Sequence, residues 1–499
     1  MLFSNKSLLS RLGISWLHII IAFVVLLLIL YVFRPFIHPV VMNLYRNPLL
    51  ILLFITVIIF IITFVLQLRK VALIVGGIAL ILVVVISLSP LFVQLHIVSE
   101  TDYAIRETFY ESQSYRVVPQ AVAQRYGHDN LQKSRETLGD FRAIVFNDTQ
   151  YWVAPRIPNS PLLYFIQKVE GLMLVNAESV AKQTRLIDQR FQIGERIGVF
   201  DNVYWNLLRE RYFIDFAEMF YVHDPAVDEF YLVAPYISYE FRFPVMVPTF
   251  GGLFIVKPDG TILDISPQEI TQYPFLENTR VYPEKLALLK VESYAYKNGL
   301  FNAWFLHEDQ IEVTQVPNAP NAQPFLMSTT GGLKWIVAAE PYGQSRGVFK
   351  LFFVDAQTGD VELVELDPNN TLLGPVRVVS FVRSQFPTID WSVNRIIEPR
   401  PFVQDNELYW LLSIVPNDYA GIARTVLVNA RTNELTVLEG SQQVRLVENQ
   451  TSQEVHNQTP TIQQPIVSVD DQSQREQIIR EKLDEITQLL AEVELLLAE

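Results

Sequence analysis

The sequence predicts an α+β protein with three N-terminal transmembrane helices, an extracytoplasmic body of repeated antiparallel sheet plus helix units, and a C-terminal helix. Three observations predict it. Lipid-grade hydrophobicity is confined to residues 1–98. Between residues 151 and 438 an aromatic-led strand and an apolar partner strand recur four times. Apolar residues at heptad spacing run from 479 to 497.

The membrane domain, residues 1–98, holds apolar runs at 16–33, 49–67 and 71–95. Each approaches the ~20 residues that a helix needs to cross hydrocarbon. None contains Lys, Arg, Asp or Glu between its flanking charges. A core helix of a soluble protein normally keeps a polar face. The first run follows Lys6 and Arg11, as a signal peptide would. It is longer than the usual ~7–15 residue core of such a peptide, and Arg34-Pro35-Phe36 stands where small cleavage-site residues belong, so it reads as retained.

Orientation follows from Lys and Arg beside the spans. Lys6, Arg11, Arg69 and Lys70 flank one side, against Arg34 and Arg46 in the first loop. The expectation is a multi-pass plasma-membrane protein with a cytoplasmic N-terminus and an extracytoplasmic body. Cysteine is absent, which excludes disulfides and Cys-ligated metal. A net charge of −14 with no basic stripe excludes nucleic acid as a natural partner.

The body spans residues 99–440. Its leading strands are YWVAP (151–155), YLVAP (231–235), WIVAAEP (335–341) and YWLLSIVP (409–416). The partner strands are anchored at Val175, Val256, Val354 and Val428. Aromatic and β-branched residues favour strands. Asp355, Thr358 and Gly359 supply one polar hairpin turn, and Asp259 with Gly260 supplies another. Asn433 takes the place of Gly359 in the fourth copy, since Asn tolerates the left-handed region. The prolines that follow the leading strands are expected to end pairing, because they lack a ladder N–H. Helices are expected at 101–116, 283–298 and 374–386, each covering one sheet face.

The unit resembles the PepSY-like module, a helix on a small sheet whose last strands carry V-D-A-x-T-G-[ED]. Residues Val354-Asp355-Ala356-Gln357-Thr358-Gly359-Asp360 match most closely, and Val428-Asn429-Ala430 and Val175-Asn176-Ala177 match in part. The resemblance implies an extracytoplasmic location and regulation of envelope proteases or other envelope proteins.

Residues 441–474 are rich in Gln, Ser, Thr and Asn and read as a flexible linker. In 475–499, Ile479, Leu483, Ile486, Leu490, Val493 and Leu497 form an a/d seam. So short a helix is marginal alone and needs a partner surface. A homo-oligomeric coiled coil satisfies it, and so does docking on this body or on another protein.

No H-E-x-x-H, P-loop, G-x-G-x-x-G or G-x-S-x-G occurs. His128, His223 and His307 stand beside acids in loop-like surroundings. No catalytic residue, cofactor or metal site is expected. The spans lack an ionisable residue apart from His18 at one edge, which disfavours a conventional transporter. The preferred reading is a self-associating binding or structural protein, with membrane lipid and an envelope polypeptide as partners. A channel or mechanosensor assembled through the C-terminal helix and a regulator of an envelope protease are the alternatives.

Overall fold

Five helices open the described part of the chain. The structure is a computed structural model describing residues 16–147, 149–315, 323–343, 347–367 and 371–438. The linker and the heptad seam, Ile479 to Leu497, lie outside the described residues. The helices are α1 (Trp16–Val32), α2 (Arg34–Arg46), α3 (Pro48–Val65), α4 (Arg69–Ser87) and α5 (Ser89–Glu100). Helices α3 and α4 are long and apolar enough to cross a membrane. The α1–α2 pair, bent by 90°, makes a third span only if counted as one. Two or three apolar helices near the N-terminus mark a membrane protein.

Two expectations are corrected here. The third run does not continue to Leu95: its helix ends at Ser87 and restarts at Ser89, with Pro90 in the new first turn. Proline cannot donate into the preceding turn and its ring crowds it. The first loop is a helix, α2, with Pro35 in its first turn. Its face Arg34, His38, Met42 is buried, and Phe36, Val40 and Leu44 on the other face are exposed. Each set is spaced by four, as helical periodicity requires.

The body is built from four modules, each a helix followed by a four-stranded antiparallel meander. The first is α6 (Gln120–Asn130) with β4 (Arg142–Phe146), β5 (Thr149–Pro158), β6 (Gly171–Asn176) and β7 (Thr184–Ile187). The second is α7 (Val203–Glu210) with β9 (Phe220–Asp224), β10 (Glu229–Arg242), β11 (Val245–Val256) and β12 (Ile262–Ile265). The third is α8 (Glu284–Ser293) with β14 (Phe325–Thr329), β15 (Gly332–Pro341), β16 (Lys350–Asp355) and β17 (Val361–Glu365). The fourth is α9 (Pro375–Gln385) with β18 (Asn394–Gln404), β19 (Glu407–Pro416), β20 (Arg424–Asn429) and β21 (Leu435–Leu438). The four strand pairs singled out in the sequence are the central pairs of these sheets, in one shared register: Trp152↔Val175, Leu232↔Val256, Trp335↔Val354 and Trp410↔Val428.

Helices and sheets alternate around a closed ring. Val378 and Val382 of α9 sit in one core with Ile336 and Phe353 of the third sheet and Trp410 and Val428 of the fourth. Val122 and Tyr126 of α6 pack with Trp152 and Val175 of the first sheet, and with Ile397 and Val415 of the fourth. Val203 and Leu207 of α7 join Leu172 of the first sheet to Leu232 of the second. Leu286 and Val291 of α8 join Ile237 of the second sheet to Trp335 of the third.

Three modules share one lock. The Trp152 indole donates to Val118 O at 2.8 Å, that of Trp335 to Tyr282 O at 3.1 Å and that of Trp410 to Leu373 O at 2.6 Å. Val118, Tyr282 and Leu373 in turn donate their N–H groups to the carbonyls of Ala177, Ala356 and Ala430. Each of these residues stands two positions before its module's helix. Asn176, Asp355 and Asn429 each accept two backbone N–H groups of the turn that follows. The V-[DN]-A string thus places Val opposite Trp, a turn-capping oxygen next, and a buried Ala under the segment that leads into the helix.

Residues 101–116 are not helical. They hold β1 (Tyr103–Arg106), parallel to β17, and β2 (Ser112–Ser114), beside β14. Tyr103 is drawn into the third module's core, and pairing at a sheet edge overrides local helix propensity. Nor do Pro155 and Pro235 end their strands. Pro155 lies where β4 hands over to β3 (Glu136–Leu138), and Pro235 where β9 hands over to β8 (Asp215–Phe216). No ladder N–H is required at either gap.

Candidate functional site

The second module departs from the other three. Leu232 replaces Trp and Pro258 replaces Ala, so the indole lock is missing. Gln192 still donates to Pro258 O, as Val118, Tyr282 and Leu373 do to their Ala. From Gln192 to the start of α7 at Val203 there are eleven positions, where the other modules have two. The added stretch, residues 193–202, forms one wall of a pocket of about 830 Å³. Insertions in one repeat commonly build a binding face.

Four elements supply most of this pocket's lining. Helix α2 contributes Phe36, His38, Pro39 and Arg46, and the insertion contributes Arg196 to Val199. Helix α7 supplies Tyr204, Trp205 and Leu208, while α8 supplies Lys285, Leu286 and Leu289. Asn202 caps α7 by accepting from Tyr204 N and Trp205 N, which fixes where the insertion ends. Several contacts hold α2 to the body, three of them around Asp215 and the segment before it. His38 Nε2 lies 3.0 Å from Tyr212 O, Arg46 donates to Asp215 at 2.9 Å, and the Tyr45 ring rests on Phe213. Tyr239 also donates its hydroxyl to Asp215.

The pocket is apolar and net cationic. Its ionised lining is Arg46, Arg196 and Lys285 against Asp215, and Arg46 already takes Asp215. Among the described residues, no carboxylate lies within ion-pair distance of Arg196 or Lys285. Trp205 lines the pocket, and Arg34, outside the lining, stacks on it. The Arg34 guanidinium lies 4.3 Å from the Trp205 ring centre, a cation–π contact. Arg34 is 7% exposed and Trp205 6%, yet Arg34 Nη2 and Trp205 Nε1 have no acceptor among the described residues. Buried donors are normally satisfied, so such a pair calls for an explanation.

A second cluster of charge lies between the sheets. Glu218 pairs with Arg142 and Arg280. Glu398, wholly buried, stands beside Arg400 and accepts from Gln120 N at the start of α6. Burial pushes the Glu398 carboxyl up and brings Arg116 down to about 10, with Glu398 opposing the latter shift. This cluster ties modules together. Among the described residues, no group of three or more His, Asp or Glu has the spacing to hold a metal ion.

The turn residues expected from the sequence lie in separate modules and form no joint site. Asp355 caps its turn and pairs with Lys334. Thr358 donates to Asp360, and Asp259 accepts from Thr261 N. Gly359 has φ +79°, and a Cβ there would fall 2.2 Å from the Tyr282 ring, so this turn admits only glycine. Gly260 and Asn433 are also left-handed.

No family model matches the chain, and no curated protein matches it. A crystal structure of a levansucrase mutant from Bacillus subtilis aligns over 68% of this chain and 99% of its own. Its identity is 9% and its TM-score 0.19, a likeness that carries no argument. From sequence, His38 and its Pro and Arg neighbours in the first loop can line a pore or a lipid interface or merely cap two helices, and no motif marks the other pocket residues. The available signal was the departure of Leu232 and Pro258 from the other three copies.

Proposed function

We propose that this chain is a membrane-anchored extracytoplasmic binding protein whose ligand occupies the pocket between α2 and the second module. The observation that carries this reading is the insertion at 193–202: the module without the indole lock supplies more of the cavity's lining than any other module.

Topology supports the placement. Helix α2 joins α1 to α3 while one of its faces rests on the body, so both neighbours leave from the body's side. Its other face presents Phe36, Val40 and Leu44, an interfacial stripe suited to lipid. Helix α5 leads from α4 into the body, where Ile97 packs on Val245 and Val247. The turn carrying Arg69 and Lys70 then belongs on the far side, as the positive-inside rule requires of a cytoplasmic turn. The seam from Ile479 to Leu497 supports self-association, and removal of residues 475–499 is expected to lower the native mass of the assembly.

The chain contains no cysteine, so single substitutions report sidedness directly. Asp228→Cys, on the exposed β9–β10 turn, is expected to react with an impermeant maleimide on intact spheroplasts. Gln67→Cys, between α3 and α4, is expected to react only after lysis. The reverse pattern would place the body in the cytoplasm and overturn the proposal.

A further inference from the structure

The pocket's chemistry names a class of ligand, and this step rests on the pocket being the binding site. We propose that it takes one anionic lipid from the bilayer, with the acyl chains against the α1–α2 bend and the acidic headgroup on Arg196 and Lys285. Val32 and Phe36, from the bend, line one wall, so the cavity reaches the segment where the chain meets the membrane. Arg196 and Lys285 line the parts of the pocket built by the body. Apolar lining on the bilayer side and unpaired cations on the other match an amphiphile entering headgroup first.

Charge selects the headgroup. A chain of net charge −14 surrounds this cavity with three cations and one acid, which is already bonded. Phosphodiester or carboxylate oxygens would give the cations the charge-assisted bonds they lack. A volume of about 830 Å³ lies within the usual range for ligand pockets. A small soluble anion would leave most of that apolar lining facing water, which favours the lipid over free phosphate.

The test uses the full chain in neutral detergent, read by native mass spectrometry. It is titrated with dioleoyl phosphatidylglycerol, dioleoyl phosphatidylcholine or inorganic phosphate. The expected result is one retained phosphatidylglycerol, preferred about tenfold or more over phosphatidylcholine and undisturbed by phosphate. Arg196→Glu with Lys285→Glu, both at exposed positions, is expected to abolish the preference. Val199→Trp, which fills the cavity from an exposed position, is expected to reduce retention of both lipids. Equal retention of the two lipids by the native chain, survival of the preference after charge reversal, or displacement by phosphate would overturn the anionic-lipid assignment. Retention unaffected by Val199→Trp would instead overturn the pocket as a binding site.

Discussion

Arg46 ends α2 with its guanidinium 2.9 Å from Asp215 on β8, a bond that spans 169 residues of chain. Both partners are partly exposed, so the ion pair alone contributes little, about 0–1 kcal/mol. Asp215 matters more because the Tyr239 hydroxyl and Arg46 both depend on it. Asp215→Ala is expected to strand two half-buried donors at about 1–3 kcal/mol. Hydrogen exchange should show the α2 amides opening roughly tenfold faster. Unchanged exchange would mean that Arg34, His38 and Tyr45 hold α2 without Asp215.

The indole locks allow a matched comparison. Trp410→Phe keeps an aromatic ring in the core but deprives Leu373 O of its donor. A loss of about 1–3 kcal/mol is expected from the orphaned carbonyl and the smaller ring. Trp152→Phe and Trp335→Phe should behave alike in thermal unfolding of the detergent-solubilised chain. A loss in only one of the three would show that the equivalence is geometric and not energetic.

Glu398 is the carboxylate that stands between two buried guanidiniums, Arg116 and Arg400. Removing one partner from a buried charge group leaves the others uncompensated. Glu398→Ala is therefore expected to cost about 3–5 kcal/mol, read as a lower unfolding midpoint. Replacing Glu398 and Arg400 together by apolar residues should cost less than this single change.

Glu284 gives stability a pH dependence. Burial, reinforced by the charge of Glu218 and opposed by Arg280, pushes its carboxyl up from 4.5 to about 6. The fold favours the protonated form. Its contribution is full below the ordinary value of 4.5 and is lost as pH rises through 6. Glu284→Gln is expected to stabilise the protein by about 1–2 kcal/mol at pH 7 and to change nothing at pH 4. Equal effects at both pH values would show that the carboxyl ionises normally in the fold.

The four hairpins were legible because their turns carry local chemistry: Asp355 or Asn429 to cap, Gly359 or Asn433 for the left-handed residue. Helices α6 and α7 were not. The first, QAVAQRYGHDN, contains a glycine, and the second has only eight residues, so neither shows a long period. Helix α2 was hidden by Pro39 inside it. Residues 101–116 alternate too briefly to reveal strands whose partners lie more than 200 positions away. The pocket is assembled from residues 32 to 289, and no local pattern encodes such convergence.

Three locked copies and one unlocked copy divide labour within a duplicated architecture. Stability is written redundantly, in equivalent bonds that do not involve residues 193–202. On the proposed reading, recognition falls to the stretch between Gln192 and α7, in which Ile197 and Asn202 serve the framework while Arg196 and Val199 stay exposed. Under that reading, descendants of such a design can exchange what they capture by rewriting a few exposed positions, while the surrounding framework is inherited unchanged.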